Sequence, residues 1–187
     1  MTDHPELDAL QESLAGCTAC GLCRTRTNIV FGTGNPHARV MLVGEGPGAN
    51  EDKQGEPFVG AAGHLLDKML LALGFSRQEN VYIANIVKCR PPENRDPAPE
   101  EIDACMGYLR AQTKIIRPQF IVCLGRIAAQ AIISPDFRVT RQHGQFVQKN
   151  GIWFMGTYHP AALLRNSAAK PDAFADLIAL RDKLEAL

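Results

Sequence analysis

Two sets of residues in this sequence could do chemistry. The first surrounds Gly44-Glu45-Gly46-Pro47-Gly48, a run that lets backbone approach a ligand closely and forms little but loop. Glu45 lies inside it, and the acidic pair Glu51 and Asp52 follows, then Phe58 between Pro57 and Val59. An apolar run that ends in a glycine turn carrying a carboxylate and an aromatic points to a ligand pocket at the carboxyl edge of an α/β sheet. The second set is sulfur: Cys17, Cys20, Cys23, Cys89, Cys105 and Cys123. A C-x-x-C turn presents two thiolates to one metal, because the chain folds back between them. With Cys89 after a strand and Cys105 inside a helix, four thiolates could hold a [4Fe–4S] cluster or Zn²⁺. Cys23 either competes with Cys17 or merely sits close by. Cys123, in the apolar run Phe120 to Leu124, reads as a core thiol.

The glycines do not spell a nucleotide site. Their spacing is Gly44-x-Gly46-x-Gly48 rather than G-x-G-x-x-G, Pro47 removes an N–H that a pyrophosphate would use, and no lysine stands where a phosphate loop needs one. A tight turn without function is the other plain reading.

The elements that must position these residues alternate. Val40 to Val43 is too short for a helix and reads as a buried strand, followed by a helical stretch from Leu65 to Leu73. Val81 to Val87 is a second strand, stopped by Arg90-Pro91-Pro92, and a helix begins near Pro99. Phe120 to Leu124 and Ile152 to Tyr158 supply two more strands, with a helix over Gly125 to Ile133 between them. Residues 134–150 are polar and read as a long connection. Pro5 to Ala15 and Asp172 to Leu187 carry helical spacing. This alternation implies a three-layer α/β/α fold around a four-stranded, mostly parallel sheet, with residues 1–187 as one domain. Glu45, Asn85, Cys89 and His159 then all fall at carboxyl ends of strands.

At 187 residues the chain can bury a sizeable core, and it has no long apolar run or low-complexity tract. Met1 to Glu6 is polar and acidic, unlike a signal peptide, so a cytoplasmic protein is expected, and one that needs no more than a monomer. Twenty basic and twenty acidic residues leave no net charge, which neither supports nor excludes a nucleic-acid partner. Six cysteines in such a setting are ligands or buried thiols rather than disulfides.

The motifs together resemble one family. GEGPG at 44–48 with Glu51 and Asp52, PFVG at 57–60, NIVKCRPPENR at 85–95 and HPAALLR at 159–165 resemble the family 4, iron–sulfur uracil-DNA glycosylases, as do CTAC at 17–20 and FGTGNP at 31–36. The resemblance implies an enzyme that hydrolyses the N-glycosidic bond of deoxyuridine in single- or double-stranded DNA. It implies a [4Fe–4S] cluster on Cys17, Cys20, Cys89 and Cys105. It implies that Phe58 stacks on the flipped uracil, Asn85 reads its Watson–Crick edge and His159 contacts O2. Glu51 would crowd a C5 methyl, Gly46 would belong with Glu51, Phe58 and Asn85 to the uracil-binding set, and Glu45 would lie in the water-activating motif. Leu163 or Leu164 would fill the gap left in the DNA stack, with Arg165, Lys88, Arg90 and Arg95 near phosphates. Relatives that trap DNA covalently use a histidine in an inserted loop. Residues 88–99 contain none, and the first motif has Gly46 rather than glutamine, so ordinary turnover is expected.

Overall fold

The computed structural model describes residues 4–187, so the first three residues of the polar opening lie outside it. The elements run α1 (Pro5–Leu14), β1 (Thr33–Gly34), β2 (Val40–Gly44), α2 (Ala49–Gln54), α3 (Ala61–Leu71), β3 (Val81–Asn85), α4 (Pro99–Ile116), β4 (Phe120–Leu124), α5 (Arg126–Ile132), α6 (Val139–Gln142), β5 (Phe146–Lys149), β6 (Ile152–Thr157), α7 (Pro160–Arg165) and α8 (Lys170–Glu185).

The four expected strands, β2, β3, β4 and β6, are parallel neighbours and form the centre of the sheet. The sheet itself has six strands, in the order β1-β3-β2-β4-β6-β5. The two additions are short antiparallel edges. One is two residues long inside FGTGNP; the other lies within the stretch expected to be only a connection, which also holds the single turn of α6.

β2, β3 and β4 are buried on both faces, as a doubly covered parallel sheet requires, while β6 is fully buried only over its second half. Alternate residues therefore serve opposite layers. Met41, Val43, Tyr82, Ala84, Ile121 and Cys123 pack with Leu7 and Leu14 of α1, Leu109 and Ile116 of α4, and Ala128 and Ala129 of α5. Val40, Leu42, Val81, Ile83, Phe120 and Val122 pack with Leu66 and Leu70 of α3 and Leu177 and Leu180 of α8. Among the described residues no helix is long and apolar enough to cross a membrane.

The parallel register sets Gly44 of β2 beside Asn85 of β3. Past that pair the two chains stay joined, with Ile86 N–H donating to Gly44 C=O (3.0 Å) and Val87 N–H to Glu45 C=O (3.2 Å). The carboxyl edge of the sheet is thus held rigidly where the functional residues emerge.

Candidate active site

A cavity of about 860 Å³ opens at that edge, and Glu45, Gly46, Glu51, Phe58, Asn85, His159 and Arg165 all line it. Glu45, Gly46, Asn85 and His159 converge because they end or closely follow parallel strands, and Glu51, Phe58 and Arg165 join them from the helices and loop beyond.

Asn85 closes β3 and is 2% exposed, yet its Oδ1 is a buried acceptor without a hydrogen-bond partner. An orphaned buried acceptor costs about 1–3 kcal/mol, so the site is one donor short until a ligand supplies it. Gly44 beside it has no room for a side chain: a Cβ there would press into Asn85 Oδ1 and the Phe58 ring. The absence of that methyl lets amide and ring meet over bare backbone.

Phe58 lines the cavity while packing among Leu42, Leu66 and Leu124. Its backbone is left-handed, at φ 54°, a costly state for a residue with a Cβ. Two features hold it there. The buried Arg77 donates from Nη1 to Pro57 C=O (2.8 Å) and from Nη2 to Phe58 C=O (2.9 Å), while pairing with Asp67 at 2.8 Å. Gly63, in the first turn of α3, leaves the space the Phe58 carbonyl occupies. The Phe58 and His159 rings stack at 5.6 Å between centroids, inclined by 29°.

Glu51 projects from α2 to the start of α3, where its Oε1 accepts from Val59 N–H (2.9 Å) and Gly60 N–H (3.0 Å). The amino end of a helix favours a carboxylate there, so its position is fixed. Its neighbour Asp52 faces away, accepting from Thr27 N–H at 2.8 Å and tying that loop to α2.

His159 caps α7: its Nδ1 accepts from Ala161 N–H at 3.0 Å. That assigns the proton of the neutral ring to Nε2, leaving Nε2–H as donor for a ligand. Burial, helped by the Arg165 guanidinium and opposed by Glu51, pushes its pKa down to about 4, so the ring is neutral at pH 7. The strand beneath is braced from the last helix. Thr157 Oγ1 donates to Asp176 Oδ2 (2.6 Å), which also meets His143 Nδ1, and the His143 ring lies against Tyr158 at 5.0 Å.

Glu45 is raised to about 7 by burial first, then by Asp96, with Arg126 opposing. Asp96 and Arg126, 2.6 Å apart, line the same cavity, as does Arg138. Sequence reasoning missed all three. Arg126 had a usable signal, since it follows the carboxyl end of β4 just as Glu45 follows β2. Asp96 and Arg138 lie in irregular chain and carried none.

Burial corrects one expectation about charge, at Lys88, and one about the leucines, at Leu163; Arg95 and Arg90 keep solvent-facing surface while pairing within the protein. Lys88 cannot reach a phosphate: it is 1% exposed, its Nζ donates to Asn85 C=O (2.9 Å) and Gln112 Oε1 (2.6 Å), and burial lowers its pKa to about 7. Arg95 is committed to Glu101 by two bonds, at 2.9 and 2.8 Å. Arg90 Nε donates to Asn94 Oδ1 at 2.8 Å. Leu163 is buried against Ala169 and Ala173, so of the two wedge candidates Leu164, 48% exposed, is the one at the surface.

The sulfur set also converges. Cys17, Cys20, Cys89 and Cys105 line one small recess together with Arg26 and Lys88; Cys23 does not line it, and Cys123 is wholly within the core. Two of the sulfurs accept N–H groups: Cys105 Sγ from Lys88 N–H (3.3 Å) and Cys89 Sγ from Arg26 Nη1 (3.4 Å). Burial raises the Cys89 thiol to about 11 and the Cys105 thiol upward as well. Among the described residues no three His, Cys, Asp or Glu side chains converge on a single metal ion.

A family model described as the uracil DNA glycosylase superfamily matches residues 31–180. A type-4 uracil-DNA glycosylase of Archaeoglobus fulgidus is 48% identical over 166 residues, covering 84% of this chain and 83% of the relative. One from Thermotoga maritima is 46% identical over 162 residues, with 86% and 84% covered. One from Pyrobaculum aerophilum is 42% identical over 183 residues, with 92% and 91% covered. With its strand-end motifs gathered around one cavity and relatives this similar along most of their length, the chain belongs to the type-4 family of the uracil DNA glycosylase superfamily.

Proposed function

We infer that this chain acts as a uracil-DNA glycosylase in base excision repair, hydrolysing the N-glycosidic bond of deoxyuridine in DNA to free uracil and an abasic site. The observation that carries the substrate choice is the buried, unpartnered Asn85 Oδ1. Uracil N3–H is the donor this acceptor lacks, and the Asn85 amide N–H₂ can donate to O4. Cytosine reverses that pattern and leaves buried groups unpaired, a penalty that supports strong rejection.

The reaction breaks the C1′–N1 bond, and its electron pair leaves with the base. Water adds to C1′ and gives its proton to Glu45, whose raised pKa suits a base operating near neutrality. Negative charge gathers on uracil O2, where the neutral His159 donates from Nε2–H. Such a bond strengthens as charge develops and so counts toward rate. Phe58 offers a face for the extruded base. Glu51, pinned by two backbone N–H groups, is too fixed to yield to a thymine methyl. The target must leave the duplex to reach these groups, and the exposed Leu164 suits a wedge while Arg165 at the cavity lining suits a phosphate. Every group named lies in one chain, so a monomer suffices, and single- or double-stranded DNA could present the base.

Cys17, Cys20, Cys89 and Cys105 would hold a [4Fe–4S] cluster. The donor set fits: four thiols around one recess, two of them receiving N–H groups that suit thiolate sulfur. When bound, the cluster supplies a cross-link joining the amino-terminal turn, the end of β3 and α4.

Incubation with a uracil-containing oligonucleotide, followed by alkali, tests the activity. Strand scission at the uracil position and none at cytosine or thymine is expected; an intact uracil strand would overturn the reading. Brown protein with absorbance in the blue and matching iron content is expected of the cluster, whereas colourless, zinc-loaded protein would refute it.

A further inference from the structure

We propose that Lys88 is a positioning residue that ties the uracil-reading Asn85 to the thiol recess, so that base recognition is set in part by the occupant of the recess. The inference rests on the glycosylase reading above and adds to it a route between two sites.

Lys88 is held by every polar group it has. Its N–H donates to Cys105 Sγ (3.3 Å), its C=O accepts from Val30 N–H (2.7 Å), and its Nζ reaches Asn85 C=O (2.9 Å) and Gln112 Oε1 (2.6 Å). The next residue is Cys89, another lining residue of the recess. Gln112 continues the chain of contacts, donating to Phe31 C=O (2.9 Å) and to the Tyr82 hydroxyl (3.2 Å). One residue therefore bonds a recess sulfur through its backbone and the uracil-reading residue through its side chain.

The position is expensive. A lysine head group taken fully out of water gives up hydration that hydrogen bonds must replace. An apolar residue would fill this volume without that cost, so stability alone does not account for an amine here. What the amine adds is a hold on the Asn85 carbonyl. Asn85 needs one, because its Oδ1 has no protein partner to aim it. Its direction comes from the main chain and from the contacts over Gly44. Displacement of a reading group by about 1 Å can cost on the order of 100-fold in rate, so a backbone hold matters.

The test is Lys88→Met, which removes the ammonium but keeps the backbone N–H to Cys105 and leaves Cys89 in place. Metal-loaded wild type and variant are compared for visible absorbance per protein, free-uracil affinity by calorimetry, and kcat and KM on a uracil oligonucleotide. Absorbance and KM should match wild type, while uracil affinity and kcat should each fall by about tenfold or more, the scale of a buried hydrogen bond left unmade. Chelator-stripped wild type should lose uracil affinity as well, and stripping Lys88→Met should cost it little further. Unchanged uracil affinity and kcat in Lys88→Met would overturn the proposal, as would losses in mere proportion to lost absorbance. If Lys88→Met does not fold, Gln112→Leu removes one anchor of Nζ and should move uracil affinity the same way; no movement would also overturn it. Wild type that neither binds nor excises uracil would sink the glycosylase reading and this inference with it. Wild type that does both, with a variant equal to it, sinks this inference alone.

Discussion

The cavity and the thiol recess are neighbours built on opposite plans. The cavity is assembled by the sheet. Parallel register sets Gly44 beside Asn85, Gly125 and His159 follow adjacent strands, Glu51 and His159 are each held by backbone N–H groups, and Asn85 keeps one acceptor open. The recess is assembled by segments outside the sheet, a turn, a strand exit and a helix, and its four sulfurs are not bonded to one another. A site made by register keeps its geometry without a ligand; a site made of loop and helix ends depends on what it holds. Losses at the first should therefore appear as rate, and losses at the second as stability together with the weaker uracil binding that Lys88 passes on.

The sharpest contrast comes from the cavity. His159→Ala and Asn85→Ala should each lower single-turnover excision by about 100- to 1,000-fold, the usual loss for one transition-state donor, with metal content and melting temperature nearly unchanged. A variant of either that retained wild-type rate would remove that residue from the chemistry.

Next in size, Cys105→Ala should abolish the visible absorbance and lower the melting temperature by on the order of 10 °C, while rate measured well below melting falls less than in Asn85→Ala. A Cys105 variant with full colour would show that the recess is not where the metal sits.

The pH profile separates the two groups proposed for the chemistry. Glu45 must be ionised to accept a proton, so kcat should rise through about pH 7, and Glu45→Gln should flatten that limb. Stability gives an independent reading. Between 4.5 and about 7 the folded state keeps a Glu45 proton that the unfolded chain has lost, so its contribution to stability falls as pH rises through that window. Between 6.5 and about 4 the folded state lacks a His159 proton that the unfolded chain holds, so stability falls as pH drops there. The two trends oppose where they overlap. In Glu45→Gln only the second remains, and melting temperature should decline more steeply with acid than in wild type; superimposable curves would refute the assignment.

The smallest effects separate two adjacent leucines. Leu164→Ala should slow excision from duplex a few-fold and leave single-stranded substrate alone. Leu163→Ala, a buried truncation, should instead cost about 2–4 kcal/mol of stability. Equal effects on both substrates would argue against Leu164 as a wedge.

How much of this could be read from sequence follows the same division. Three of the four central strands announced themselves as short apolar runs because they are buried on both faces, and β6, partly exposed over its first half, did so by composition. The edge strand Phe146–Lys149 did not, since its last three residues are exposed and read as polar loop. A two-residue strand such as Thr33–Gly34 has no periodicity at all. The cavity residues were legible because they follow strand ends. Lys88 and Arg77 were not, because charge in a sequence reads as surface, and only the fold reveals a carbonyl waiting for each. Their burial is settled by contacts from α4 and from the loop before α3, which no local pattern contains.

The brace on β6 extends the cavity's dependence to the far end of the chain. Asp176 belongs to α8, which contributes nothing to the cavity wall, yet it grips Thr157 two residues before His159. Asp176→Ala would take away no reactive group and leave the core leucines of α8 in place, yet it would loosen the strand end on which His159 sits, so a change far from the cavity would present as a catalytic lesion.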